Sequence, residues 1–159
     1  MLIDAQALRK SFPGADTPVL DDVNLRLDPG ETLALTGESG SGKSTLLHIV
    51  AALEPYDAGT VRVAGTDLAT LGDAGAAKLR RSALGIVFQQ FNLIPSLDVA
   101  ANIAFQARLA GRYDAGRADA LIRRLGLDAH RRKYPEDLSG GQQQRVAIGR
   151  ALAPAPALI

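Results

Sequence analysis

The stretch that most constrains this chain is GESGSGKST, Gly37–Thr45. The alternating run Thr32 to Thr36 before it predicts a strand. After it, Leu46, Leu47, Val50 and Leu53 recur at helical spacing until Pro55 closes the helix. Strand, glycine-rich loop and helix in that order match G-x-x-x-x-G-K-[ST] in the context the pattern needs. Glycines let the backbone curl so that successive N–H groups point inward. The helix adds its unsatisfied N-terminal donors and the positive end of its dipole. Gly37, Glu38, Ser39, Gly40, Ser41, Gly42, Lys43, Ser44 and Thr45 are therefore a candidate phosphate cradle. Lys43 can reach β- and γ-phosphates as a point charge, and Ser44 can ligate Mg²⁺, a hard cation that prefers oxygen. Glu38 is an anion in an anion-binding loop and is expected to point outward. The implied ligand is a nucleotide. The loop alone leaves GTPase, kinase, helicase and transport ATPase open.

The rest of the chain predicts an α/β frame with a helical insertion. VNLRLDPGETLALTG alternates, turns at Pro29-Gly30 and enters the strand before the cradle, and GTVRVAG is a further strand closed by Gly65. Ala74 to Arg81 reads as helix and LGIVFQQ as a short apolar strand. From Ser96 to Leu138 the pattern is helical throughout. Val99, Ile103 and Leu109 mark one helix closed by Gly111, and Ala118, Leu121, Ile122 and Leu125 mark a second capped by Gly126. A last helix runs from Ser139 to about Ala153, where Pro154 and Pro156 end it. The expected organisation is one cassette: a β-rich, phosphate-binding core over 1–90, a helical subdomain over 91–138, and a final helix and strand start over 139–159.

Composition narrows the function classes. The 159 residues carry a net charge of +1, so no global basic field argues for nucleic acid. Arg80-Arg81, Arg123-Arg124 and Arg131-Arg132-Lys133 read as solvated helix faces. There is no cysteine, which excludes disulfides, thiolate catalysis and zinc–thiolate sites. His48 and His130 are scattered and make no metal set. No signal-peptide pattern is seen, and no apolar run approaches the ~20 residues of a membrane span. Any work at a membrane is expected to go through a partner.

A second motif chooses among the nucleotide-binding classes. In LSGGQQQRVAIGRAL, Leu138 to Leu152, Ser139 stands at an N-cap position and Gly140-Gly141 leave the first helical N–H groups unobstructed. This is a second anion-ready helix start in a chain that already has a cradle. Gln142-Gln143-Gln144 is a costly polar run unless it faces solvent or a partner.

With these two motifs the chain closely resembles the ATP-binding-cassette family. LSGGQ resembles the family's signature and GESGSGKS its Walker A motif. Gln89 in VFQQFNLIP matches the glutamine of its Q-loop, and Phe12 falls where an aromatic residue stacks on adenine. The resemblance covers the whole chain and is strongest to the branch that drives lipoprotein release and macrolide or peptide export. That branch also includes a cell-division ATPase. Gly149 stands where alanine is usual, which predicts a slightly loosened helix, and Ala101 where the branch carries glutamate.

The resemblance implies a P-loop NTPase (RecA-like) core and a head-to-tail homodimer that traps two ATP molecules with Mg²⁺. Ser139, Gly140, Gly141 and Gln142 of one copy would cap the γ-phosphate held by the other. Ser44 and Gln89 would serve the metal. A transmembrane permease subunit would be moved at the cytoplasmic face of the membrane. The alternative is a cassette that signals through a membrane partner without transport. A DNA-repair or chromosome ATPase is disfavoured, because the insertion has neither sustained heptads nor cysteine. In the family a strand carrying a metal-orienting aspartate and a catalytic glutamate follows the signature helix, and a switch histidine comes later. The closing ALAPAPALI resembles that strand's beginning. No Asp or Glu follows Asp137 and no His follows His130. The resemblance therefore implies a cassette incomplete at its C-terminus that does not hydrolyse ATP on its own.

Overall fold

A computed structural model describes all residues, 1–159. They form two compact units, Met1–Arg80 and Arg81–Ile159.

The first unit is built on a four-stranded antiparallel sheet of order β2-β1-β3-β4. Its strands are β1 (Ile3–Lys10), β2 (Leu20–Leu27), β3 (Ala58–Val63) and β4 (Thr66–Asp67). Ile3, Ala5, Leu8, Leu20, Leu27, Val61 and Val63 are buried, and helix α1 (Lys43–Val50) adds Leu46, Ile49 and Val50. β1 lies between β2 and β3, so it is the strand on which both neighbours register. It is bulged: Ala7 has φ 49°, and its N–H is satisfied by the Asn24 side chain at 3.0 Å. Gly59 meets this bulge at φ +96°, where a Cβ would lie 2.5 Å from the Ala7 carbonyl and 2.6 Å from that of Gln6. Only glycine fits there.

One sequence expectation fails in this unit. Thr32–Thr36 forms no strand, and Leu33 is exposed. A strand exists through its ladder, and no other part of the chain pairs with this run. The cradle is therefore entered from a segment that belongs to no ladder.

The second unit begins in the last turn of α2 (Asp73–Ala83) and holds α3 (Val99–Leu109), α4 (Ala115–Arg124) and α5 (Gly140–Leu152). Val99, Ile103, Ala107, Ile122, Leu127, Leu138, Val146 and Ala153 make its core. Each helix begins on a side-chain cap. Asp98 accepts from Ala101 N–H at 2.7 Å, Asp114 from Arg117 N–H at 2.6 Å, and Ser139 from Gln142 N–H at 3.4 Å. α5 runs unbroken through Gly149. This glycine is buried, and a Cβ would lie 2.9 Å from Leu125 Cδ1 and 3.0 Å from Ile103 Cγ1. It lets α5 approach α3 and the end of α4 closely.

The expected strand LGIVFQQ reduces to one residue. Leu84 makes a parallel bridge with Leu158, and Gly85 N–H donates to the Leu158 carbonyl at 2.8 Å. PALI is thus extended and pairs in parallel. Gly85 is pressed on the end of α5, with its Cβ position 2.8 Å from the Ala151 carbonyl.

Candidate functional site

Three glycines in the left-handed region shape the loop of the first unit: Gly37 (φ 143°), Gly40 (φ 83°) and Gly42 (φ 87°). Gly42 is the N-cap of α1 and provides no capping side chain, so the donors of the helix's first turn are left to an external acceptor. A Cβ on Gly42 would lie 2.8 Å from the Val19 carbonyl and 2.9 Å from Leu20 Cδ2, whereas a Cβ on Gly40 would meet nothing. Glycine is needed at 42 for both space and conformation, and at 40 for conformation alone.

Lys43 folds back over its own loop. Its Nζ donates to the carbonyls of Gly37 at 2.9 Å and Glu38 at 2.5 Å, and to Ser41 Oγ at 3.2 Å. The Glu38 carboxylate is exposed and forms no ion pair with Lys43.

Phe12 joins this loop from outside the motif. It shares a cleft of about 240 Å³ with Val19, Gly40, Gly42, Lys43, Ser44 and Thr45. The segment that presents Phe12 leaves β1 and returns into β2. Its base is closed by Val19 N–H donating to the Lys10 carbonyl at 2.8 Å. Lys10 lies over the ring. It is buried, its Nζ pairs with Glu54 at 2.7 Å, and it sits 5.0 Å from the Phe12 ring centroid. Val19, Lys10 and Glu54 were missed from the sequence. Alternation marks Lys10 only as a strand residue, and Glu54 is 44 positions away.

The chemistry of these donors fits a nucleotide. Curled N–H groups, an uncapped helix start and one ammonium suit a polyphosphate, and the half-exposed Phe12 ring suits a flat base. The exposed Ser44 hydroxyl, in the first turn of α1, is an oxygen ligand of the type Mg²⁺ takes.

The second unit holds the remaining residues singled out by sequence. Ser139 and Gln142 form a capping box in which Ser139 N–H donates to Gln142 Oε1 at 2.9 Å. Gln142 Nε2 lies 3.0 Å from His130 Nε2. Gln143 Nε2 donates to the carbonyls of Pro135 at 2.9 Å and Leu138 at 3.3 Å. The polar run is thus spent largely inside the unit, where it braces the turn leading into α5. Gly140 and Gly141 are exposed, with open space where a Cβ would sit.

Gln89 is exposed on a turn after α2. The end of that turn is held by Arg150 of α5, whose guanidinium burial lowers its pKa. A larger cleft of about 500 Å³ in this unit, lined by Arg117, Leu121, Arg124, Leu125 and Leu152, contains none of the candidate nucleotide-binding residues. No helix is long and apolar enough to cross a membrane.

A family model described as ABC transporter matches residues 20–159. A methionine import ATP-binding protein of Caulobacter vibrioides is 45% identical over 99% of this chain. A macrolide export ATP-binding/permease protein of Shigella flexneri is 44% identical over 95% of it, and a pyoverdine export ATP-binding/permease protein of Pseudomonas putida 47% over 95%. The chain spans 48% of the first of these relatives and 24% of each of the other two. Among solved structures, a dimeric ATP-binding cassette in a post-hydrolysis state with ADP and Pi superposes with a TM-score of 0.87 at 36% identity. That match covers 97% of this chain and 70% of the other.

Proposed function

The chain belongs to the ABC transporter family, and on that footing we propose that it is an ATP-binding cassette that couples ATP binding and hydrolysis to movement of a membrane partner. The observation that carries this reading is the single cleft shared by Phe12 and the Gly40–Thr45 part of the cradle. Base and phosphates of one nucleotide would be gripped there together.

Lys43 offsets charge on the β- and γ-phosphates, the α1 N-terminus adds its dipole, and Phe12 stacks on the adenine. Ser44 and Gln89 are the residues that would hold Mg²⁺, which when bound offsets phosphate charge during transfer. Ser139, Gly140, Gly141 and Gln142 present a second anion-ready helix start, assigned to the nucleotide of a second copy. A dimeric cassette among the structural relatives supports that assembly.

Relatives named for import and for export are similarly close, so the proposal concerns the step they share: ATP-driven closure of two cassettes, relayed to a permease. Export or release of a substrate is the direction the sequence pattern favours. The cassette would then lie at the cytoplasmic face of the membrane.

The test is calorimetric ATP binding followed by sedimentation with ATP. Lys43→Ala should abolish or severely weaken binding while the chain stays folded. Ser139→Arg should bind ATP and fail to dimerise, because a bulky cation then occupies the face presented to the partner. Unchanged affinity in folded Lys43→Ala sinks the phosphate assignment, and an undiminished Ser139→Arg dimer sinks the role in trans.

A further inference from the structure

Gln89 lies in a segment, 85–98, that contains neither helix nor strand. Two polar side chains from two different helices hold it in shape. The first is Asn102 of α3, which is fully buried. Its Oδ1 accepts from Ile94 N–H at 2.9 Å, and its Nδ2 donates to the carbonyls of Ile94 at 3.1 Å, Leu97 at 2.7 Å and Asp98 at 3.1 Å. This fixes the far half of the segment.

The near half is held by Arg150. Its Nη1 donates to the Asn92 carbonyl at 2.6 Å and its Nη2 to the Phe91 carbonyl at 2.7 Å. Phe91 and Asn92 are consecutive non-glycine residues in the left-handed region, at φ 59° and 47°. For a bulky residue such as Phe91 that conformation persists only where the surroundings impose it. The turn that contains Gln89 is closed by Phe91 N–H to the Phe88 carbonyl at 3.0 Å and Asn92 N–H to the Gln90 carbonyl at 2.6 Å. Arg150 thus grips the exit of the Gln89 turn.

The nature of the grip points to a purpose beyond packing. Arg150 is half-buried, and no carboxylate lies within ion-pairing distance of it. Its charge is answered by two backbone carbonyls through the rigid fork that only arginine offers. It stands near the C-terminal end of α5, the helix whose N-terminus carries Ser139 and Gln142. About 11 residues at 1.5 Å each put the two features roughly 16 Å apart on one rigid rod.

We propose that Arg150 is a positioning residue for Gln89, tying the Gln89 turn to the signature helix so that the two move as one piece. The proposal rests on the cassette reading above, in which Gln89 serves the metal of the bound nucleotide. A displacement of α5, as on engagement of Ser139–Gln142 by a second copy's nucleotide, would then be carried to Gln89 without any contact between Arg150 and the ligand.

The test uses the 159-residue chain with Arg150→Met, which removes the fork, and Arg150→Lys, which keeps the charge but cannot bridge two carbonyls. Amide exchange and calorimetric ATP affinity with and without Mg²⁺ are measured. In both variants, exchange at Phe91 and Asn92 should speed up about tenfold while Ile94 and Asn102, held from α3, keep their rates. The Mg²⁺-dependent gain in ATP affinity should shrink, about fivefold for Met and less for Lys, with Mg²⁺-free affinity unmoved. Gln89→Ala should remove the same gain, and adding Arg150→Met to it should change nothing more.

Unchanged exchange at Phe91 and Asn92 overturns the tie. Faster exchange with an intact Mg²⁺ effect, or additive losses in the double variant, overturns the positioning role. If Arg150→Met does not fold, Arg150→Lys decides on the same readouts. Failure of the unsubstituted chain to bind ATP overturns the cassette reading and this proposal with it, and is seen before any substitution is made.

Discussion

Gln142 and His130 are joined side chain to side chain at 3.0 Å, Nε2 to Nε2, while Gln142 Oε1 accepts from Ser139 N–H at 2.9 Å. The second contact orients the amide, so its NH₂ faces the His130 ring, whose Nδ1 is buried without a partner. A polar network that leaves one ring nitrogen unanswered is held in place by its remaining bonds. Gln142→Ala removes both the reciprocal cap and the ring's partner, so it should destabilise the chain by about 1 kcal/mol despite alanine's better helix propensity. Urea denaturation checks it: an unchanged midpoint would mean that the network contributes nothing net.

Gly42 and Gly40 share a left-handed conformation but not a neighbourhood. Gly40→Ala meets only the conformational penalty, about 1–2 kcal/mol. Gly42→Ala adds a clash with the carbonyl of Val19, a residue whose N–H is bonded to the Lys10 carbonyl. The second variant should melt lower than the first and bind ATP more weakly, because relief of the clash moves the cleft wall. Equal melting temperatures would show that Val19 yields freely.

Arg131 donates to Asp119 at 2.5 Å and to Asp128 at 2.9 Å. The hydrogen bond and then the charge of Arg131 hold the Asp119 carboxyl below its ordinary value. A carboxyl depressed by folding contributes stability above its unfolded-chain pKa and loses it as pH falls through the folded value. Arg131→Met should therefore be slightly less stable than the parent at neutral pH, the effect being small because the pair is solvent-screened. The gap should close in acid, below the normal carboxylate range. Urea midpoints measured against pH test this, and a gap that persists undiminished in acid would trace the loss to packing of the arginine stem.

Much of the fold was legible because its signals are local. Glycines at 37, 40 and 42 announce a curled loop, Ser139 with Gln142 announces a capped helix, and the spacing of Ala118, Leu121, Ile122 and Leu125 announces the core face of α4. Each of these depends on residues within a turn or two of one another, where backbone sterics and capping bonds decide the outcome. Thr32–Thr36 has the alternation of a strand and is not one, because alternation states a preference and a ladder needs a second chain segment.

The candidate site divides along the same line. Gly37–Thr45 and Ser139–Gln142 stand in the sequence as contiguous motifs whose chemistry follows from residue type and spacing. Which residues surround them does not. Val19 at the wall of the cleft, His130 on Gln142 and Arg150 on the Gln89 turn are brought there from 12 to 59 positions away. Those partnerships follow from how the sheet closes and how closely α5 can approach at Gly149. No single residue carries either property, because both arise from buried area and excluded volume summed over the whole unit.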